Sequence, residues 1–160
     1  MYKRQVLYRS AALVVVLALL VPVNVFLRSP QSRTDDAIAV TQAVRELSSP
    51  GDGLLFLPAR RRVWAAAAPH EFHRLRDLAL DESPVASHTL YGTELSGDRI
   101  HAHMTRARRI VAVGDAKGQP LDRTDQEIAK RTTLKSAFQV CATKDVKGAS
   151  ITLYARPGHC

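Results

Sequence analysis

The longest apolar run of the chain covers residues 11–27, AALVVVLALLVPVNVFL, in which Asn24 carries the one polar side chain. As a helix rising about 1.5 Å per residue, this run spans about 25 Å, and apolar residues just before it extend it toward the thickness of a bilayer. Three basic residues precede the run, which by the positive-inside rule favours a cytoplasmic N-terminus. We therefore predict a transmembrane anchor over residues 1–28, holding a single-pass protein in the cell membrane with its C-terminal domain outside.

A cleaved signal peptide is the alternative, because it has the same basic start and apolar middle. The run is long for the apolar region of such a peptide, and residues 28–33, RSPQSR, offer no small-x-small cleavage site. No polar face interrupts the run, which disfavours a helix buried in a protein core. The uncleaved anchor is the favoured interpretation.

Helical and strand patterns alternate after a polar linker over residues 29–34. Thr34 is the expected N-cap of a helix, with Asp35 and Asp36 in its first turn, where negative charge suits the helix dipole. Residues 54–57, LLFL, form the short continuous apolar run typical of a strand covered on both faces. Further helices are predicted over 63–68, over 70–80 and after residue 98, and a second buried strand over 110–113.

The C-terminal third adds a helix and a hairpin. Thr124 and Glu127 match a capping box that opens the helix. Two strands with alternating apolar residues follow, joined by a turn at 144–148. The first strand has Phe138, Val140 and Ala142 on its inner face, and the second has Ile151 and Leu153. The pattern along residues 35–160 therefore predicts a small α/β sandwich with a mostly parallel sheet, an antiparallel last strand on its edge and a C-terminal β-hairpin.

The charge distribution disfavours a nucleic-acid partner. Residues 1–28 contain four basic and no acidic residues, and the remainder contains 19 basic and 15 acidic ones, so each part contributes +4 of the formal +8. A nucleic-acid binder concentrates its excess on one patch. Here the basic residues after position 28 are scattered among carboxylates, except for the run Arg60-Arg61-Arg62.

Two cysteines, Cys141 and Cys160, leave two interpretations open. An outside compartment permits a disulfide between them, whereas two unrelated thiols are the plainer alternative. Neither belongs to a CxxC motif, which disfavours dithiol redox or zinc chemistry. The histidine pairs His70/His73 and His101/His103 lack the further ligands that zinc requires, and we expect neither a metal nor another cofactor.

The arginine run is the candidate ligand site. Arg60, Arg61 and Arg62 follow the first buried strand, and in open parallel sheets ligands bind beyond the carboxyl ends of strands. Three guanidinium groups beside Trp64 would hold a substrate phosphate or an anionic lipid headgroup. The alternative is a solvated basic loop that is attracted to anionic lipids without specificity. No catalytic residue can be identified from spacing.

Several segments resemble the C-terminal end of actinobacterial polytopic membrane glycosyltransferases of the C superfamily, which are similar to mannosyltransferases using lipid-linked sugar donors. The matching segments are the apolar helix, Asp35-Asp36, residues 49–62 (SPGDGLLFLPARRR), Phe72, Leu75, residues 77–80 (DLAL), Ser83-Pro84, residues 89–92 (TLYG) and residues 152–154 (TLY). They are short, but together they cover most of the chain.

The resemblance implies an extracytoplasmic accessory domain of a glycosyltransferase-like membrane protein, a truncated or split member without the catalytic core. Enzymes of that superfamily place their catalytic acidic residue in an outside loop between further membrane helices, so whether this chain is an enzyme stays undecided. The implied partners are the membrane and the missing transmembrane part or a lipid-linked sugar. The alternative is an independent single-pass envelope protein that binds a partner or anionic lipid.

Overall fold

The computed structural model describes residues 2–29 and 35–160, with side chains described from residue 14 onward in the first range. The chain divides into two compact units, residues 1–34 and residues 35–160. Thr34, the predicted N-cap, and most of the predicted linker lie outside the described residues.

The first unit contains helix α1, Tyr2–Arg28. Its large apolar side chains from position 14 to position 27 are about half exposed or more, from 48% at Val16 to 67% at Leu19. Across the described ranges, no helix is both long enough and apolar enough to cross a membrane. The helix is thus present where the sequence predicts one, but the predicted transmembrane span is not found.

The second unit is an α/β domain around a mixed five-stranded sheet. The strands are β1 (Gly53–Leu57), β2 (Arg76–Asp77), β3 (Arg109–Asp115), β4 (Gln139–Val146) and β5 (Ala149–Ala155). Their order in the sheet is β2-β1-β3-β5-β4. β1 pairs in parallel with β2 and with β3, whereas β5 pairs antiparallel with β3 and with β4.

Helices cover both faces of this sheet. They are α2 (Ala37–Leu47), α3 (Val63–Ala67), α4 (Pro69–Phe72), α5 (Pro84–Ser87), α6 (Gly97–Met104) and α7 (Asp125–Ala137), and a 3-10 turn, Ala59–Arg62, precedes α3. Successive residues of a strand point to opposite faces, so Leu54 and Phe56 pack against α2 to α4 while Leu55 packs against α6 and α7. The continuous apolar pattern of β1 is explained because both of its faces are buried, as predicted.

Two helix starts test the capping predictions. The carboxylate of Asp36 accepts hydrogen bonds from the backbone N–H groups of Ile38 and Ala39, so α2 begins two residues later than predicted, with Asp36 as its N-cap and not in its first turn. At α7 half of the predicted capping box is confirmed, since the hydroxyl of Thr124 accepts from the backbone N–H of Glu127. The other half is not formed, because the backbone N–H of Thr124 donates to the carboxylate of Asp122 and not to Glu127.

The predicted helix over residues 70–80 is wrong. α4 ends at Phe72, and Arg76 and Asp77 form β2, whose backbone pairs with β1. The carboxylate of Asp77 accepts from the backbone N–H groups of Ala79 and Leu80, which favours a turn over a helix there.

The hairpin is confirmed, but three of its details differ from the prediction. The turn is shorter than the predicted 144–148, because β4 continues to Val146. The last strand, β5, lies between β3 and β4, so β4 and not the last strand forms the sheet edge. The register shifts between Val140 and Ala142, which leaves Val140 59% exposed and not on the inner face. The extra residue at this bulge is Cys141, which forms a disulfide with Cys160.

Candidate functional site

A crevice forms where the chain reverses its order in the sheet. From β1 the chain moves to β2 on one side, and from β2 it crosses to β3 on the other side of β1. The carboxyl ends of β1 and β3 are adjacent, since Leu57 lies opposite Gly114. Ligands of open α/β sheets bind at such a point.

The first two arginines of the run meet at one carboxylate in this crevice. Arg60 and Arg61 both donate to Asp115, the last residue of β3. Arg61 also donates to Asp35 over 2.8 Å, and its guanidinium lies 4.6 Å from the ring centre of Trp64. The side chain of Arg61 is 16% exposed and that of Arg60 is 53% exposed, so about half of the Arg60 side chain faces solvent while its guanidinium is paired with Asp115.

The third arginine turns into the protein. Arg62 donates to Asp77 and Glu94 over 2.7 and 2.8 Å, and to the backbone carbonyl of Tyr91. Burial opposes its charged form, but the hydrogen bonds and charges of Asp77 and Glu94 outweigh this effect and raise the pKa of its guanidinium. Arg62 thus links the end of the 3-10 turn to two other segments of the chain.

A buried lysine extends this ion network beneath the crevice. Lys130 of α7 is fully buried and donates to Glu94 and Glu127, and to the backbone carbonyl of Phe56. All three of its N–H groups therefore have an acceptor. Burial, partly offset by Lys130, raises the pKa of Glu127.

Glu127 retains one unsatisfied oxygen. Its Oε1 accepts from Lys130, whereas its Oε2 is buried without a hydrogen-bond partner among the described residues. The Nη1 atom of Arg131 lies 3.6 Å from Oε2, beyond hydrogen-bond range. A buried acceptor without a donor is unusual in a folded protein.

The Arg60 cleft, with a volume of about 360 Å³, lies directly above this network. Three segments form its wall: the loop after β1, residues 91–94 and the start of α7. Its lining residues are Pro58, Ala59, Arg60, Tyr91, Gly92, Glu94, Asp122, Thr124, Gln126 and Glu127. The cleft thus combines carboxylates, a guanidinium, a hydroxyl, an amide and an aromatic ring.

A second cavity of about 260 Å³ adjoins the cleft at Pro58 and Asp122. It lies against β3 and β5 under the loop after β3, and its polar lining includes Lys117, Arg131 and Tyr154. Burial raises the pKa of the Tyr154 hydroxyl. Lys117 is paired with Asp145, and Arg131 donates to the backbone carbonyl of Asp122, so its cations already have acceptors.

An apolar groove of about 530 Å³ lies on the other face of β1. Its walls include the buried rings of Phe56 and Phe72 and the exposed side chain of Val85. Arg62 and Asp77 also line it, but they are paired with each other. The groove is therefore suited to apolar groups.

The other residues considered as candidates in the sequence analysis have structural roles or no role that the structure indicates. Asp35 and Asp36 hold Arg61 and cap α2. Nδ1 of His101 is hydrogen-bonded to Thr133, and no group of three or more metal-ligating side chains occurs within the described ranges. Sequence reasoning missed Glu94 and Lys130, and it explained Glu127 fully as a capping residue.

Comparison of the chain with protein-family models, curated proteins and solved structures finds no match, so no family assigns its function and the glycosyltransferase resemblance stays a prediction.

Proposed function

We propose that residues 35–160 form an extracytoplasmic accessory domain that binds a sugar ligand for a glycosyltransferase-like membrane protein. The observation that carries this proposal is the crevice at the carboxyl ends of β1 and β3, with the half-exposed guanidinium of Arg60 at its edge. Crevices at this position of open α/β sheets bind ligands. A guanidinium there is suited to the phosphate of a lipid-linked sugar.

Attachment to a membrane through α1 is supported by its exposed apolar side chains. Leu17, Leu20 and Phe26 are each more than half exposed, and such a set of apolar side chains is costly in water. The three basic residues before the apolar run favour a cytoplasmic N-terminus. The domain would then lie on the outer face of the membrane.

The disulfide between Cys141 and Cys160 also favours an outside location. Disulfides form and persist in oxidising compartments and are rare in the cytosol. The bond joins β4 to the C-terminal residue across a separation of 19 residues. Closing a loop of that size stabilises a folded chain by about 3 kcal/mol.

Binding without turnover is favoured by the pairing of two carboxylates near the crevice, those of Asp115 and Glu94. Asp115 holds two arginines, and Glu94 holds Arg62 and Lys130. A catalytic carboxylate has to gain or lose a proton, or attack the substrate, and strong pairing to fixed cations disfavours these steps. We therefore expect the domain to hold or present a sugar ligand for an enzyme.

The test uses the full chain in detergent micelles with a radiolabelled polyprenyl-phosphate mannose and a soluble mannoside acceptor. We expect the protein to retain the donor without transferring mannose, and Arg60→Ala to weaken retention about tenfold by removing the charged contact. The matched control is Arg99→Ala, which removes an exposed arginine outside the crevice. Mannose transfer, or no retention of the donor, would overturn the proposal.

The apolar groove beside Phe72 favours one alternative, an independent envelope protein whose domain binds a partner. In that case Val85→Glu, in the groove wall, would abolish binding of the partner, whereas Arg60→Ala would leave it unchanged. The accessory-domain proposal predicts instead that Arg60→Ala weakens retention of the donor and that Val85→Glu does not.

A further inference from the structure

One face of helix α1 combines leucines with the one polar side chain of the apolar run, that of Asn24. Leu17, Leu20, Asn24 and Leu27 follow one another along α1 at spacings of three, four and three residues. Alternating spacings of three and four are those of the a and d positions of a coiled coil. Leu17 and Asn24 then occupy a positions, and Leu20 and Leu27 occupy d positions. We call these four residues the Asn24 seam.

The surface of α1 at the Asn24 seam is suited to contact with another helix. The side chains of Leu17, Leu20 and Leu27 are 52%, 51% and 62% exposed, and that of Asn24 is exposed as well. Pro22, the proline inside α1, occupies the f position of the same heptad, which lies on the side of the helix opposite the seam. The seam therefore contains no proline ring that would disturb close packing.

The amide of Asn24 is only partly satisfied by its own helix. Its Nδ2 donates to the backbone carbonyl of Leu20 over 3.0 Å, and the side chain makes no other hydrogen bond within the part of the chain that the structure describes. An amide has two N–H donors and one acceptor oxygen, so one N–H and the Oδ1 atom remain. Polar groups without partners are costly in the apolar surroundings that the neighbouring side chains of α1 require.

The remaining groups of Asn24 are self-complementary. An identical amide placed opposite accepts from the remaining N–H and donates to Oδ1, so one further copy of the chain satisfies both groups. Lipid tails offer neither a donor nor an acceptor. A single asparagine at an a position also fixes the register in which coiled-coil helices pair.

The positions of the leucines favour parallel helices. In a parallel pair in register, Asn24 lies level with Asn24 and each leucine of the seam lies level with the same leucine of the other copy. An antiparallel pair that matched Asn24 with itself would bring Leu20 level with Arg28, the last residue of α1. That arrangement would place a charged side chain where the parallel pair has a leucine.

We infer that α1 pairs in parallel with α1 of a second copy of this chain, along the Asn24 seam, with the two Asn24 amides hydrogen-bonded to each other. This inference goes beyond the proposed function, because it concerns a partner of the helix and needs no ligand of the domain. The occupant of the seam is a second copy, since its amide supplies the donor and the acceptor together.

The first test is sedimentation equilibrium of the full chain in density-matched detergent micelles. We expect twice the mass of one chain. Asn24→Leu keeps an apolar seam but removes both shared hydrogen bonds, so it should raise the dissociation constant of the dimer about tenfold or more. Asn24→Gln retains an amide and should restore most of the affinity. Leu19→Ala, at a c position outside the seam, should pair like the unmodified chain.

The second test maps the paired face by oxidative cross-linking in a background of Cys141→Ser and Cys160→Ser. Leu20→Cys, at a d position, brings two cysteines within disulfide range in the parallel pair and should give a covalent dimer. Leu19→Cys is the matched control on the next residue of the helix, and it should cross-link at least about tenfold more slowly.

Three outcomes would overturn the inference. One is the mass of a single chain, or of three chains, in the micelles. Another is a dimer whose affinity Asn24→Leu leaves unchanged. The third is equal cross-linking through Leu19→Cys and Leu20→Cys. A single chain that still retains the polyprenyl-phosphate mannose would leave the proposed function standing, with α1 available to a helix of another protein.

Discussion

The ammonium group of Lys130 donates a hydrogen bond of 2.9 Å to the backbone carbonyl of Phe56, a residue 74 positions earlier in the chain. This bond ties the first turns of α7 to the end of β1 directly below the Arg60 cleft. A lysine buried this completely needs charged partners, and Glu94 and Glu127 supply them. The floor of the cleft is therefore a fixed ionic structure.

Replacing the buried lysine should strongly destabilise the domain. Lys130→Met leaves Glu94 and Glu127 buried without their shared cation, and breaking a buried pair in this way costs about 3–5 kcal/mol in the free energy of unfolding. Urea unfolding of the full chain measures the change. Lys135→Met, on an exposed position of the same helix, should change it by less than about 0.5 kcal/mol. Equal effects of the two variants would contradict a buried ion network.

The pH dependence of stability should report on Glu127. Its pKa in the folded state is raised above the ordinary value of 4.5, chiefly by burial, so between these two pKa values the folded state binds more protons than the unfolded state. The contribution of Glu127 to stability is therefore fully present below pH 4.5 and is lost as pH rises through its folded-state pKa. The charged groups that face this carboxylate are Lys130, Arg131 and Glu94.

Glu127→Gln removes the titrating carboxyl group and with it the loss of stability at higher pH. Above pH 4.5 the free energy of unfolding of the variant should therefore fall less steeply with rising pH, or rise, relative to the unmodified chain. Chemical unfolding across pH 4–8 measures the slopes, with the exposed Glu82→Gln as the control. Parallel curves for Glu127→Gln and the unmodified chain would show that Glu127 does not titrate abnormally.

Asp115 should matter more than a carboxylate in a simple surface pair. Asp115→Asn keeps the side-chain shape but removes the charge that holds Arg60 and Arg61, and we expect it to lower the free energy of unfolding by about 1–3 kcal/mol. Asp81→Asn is the control, because Asp81 is 45% exposed and lies 3.6 Å from Arg99. Its effect should be below about 1 kcal/mol. A loss at Asp81 equal to that at Asp115 would contradict the bridging role.

Alanine substitutions at two glycines distinguish the cost of backbone strain from the cost of a steric clash. Gly148 and Gly118 both have φ near +85°, so alanine is strained at either position, by about 1–2 kcal/mol. A Cβ at Gly148 would also lie 2.1 Å from Oδ1 of Asp35, whereas a Cβ at Gly118 meets nothing within 4 Å. Thermal unfolding should therefore show a larger loss for Gly148→Ala than for Gly118→Ala. Equal losses would show that Asp35 moves away without cost.

Local sequence patterns were sufficient to predict the elements that depend only on residues close together in the chain. The buried strand around Leu55 has a continuous apolar pattern, and the cap at Thr124 depends on a residue three positions away. The helix predicted over residues 70–80 failed because pairing between β1 and β2 overrides the helical pattern. The edge position of β4 and the exposure of Val140 depend on strand order and on a bulge, which periodicity does not encode.

The candidate site also combines features that local patterns predict with features that depend on residues far apart in the chain. The position of the arginine run after a buried strand was predicted, but the inward turn of Arg62 depends on Asp77 and Glu94, which are 15 and 32 residues away. Lys130 lies on the same helix as the exposed Lys135, and its burial follows from how α7 packs on β1. Such long-range pairs leave no signal in the spacing of a single sequence.

The proposed function depends most directly on the domain lying outside the cell membrane, and cysteine labelling on intact cells tests this location. Cys141→Ser and Cys160→Ser remove the native cysteines, and Ser136→Cys adds one on the exposed surface of α7. We expect a membrane-impermeant maleimide to label this cysteine before lysis, whether or not loss of the disulfide loosens the fold. Protection until the cells are lysed would place the domain in the cytoplasm and contradict both the outside location and the accessory function.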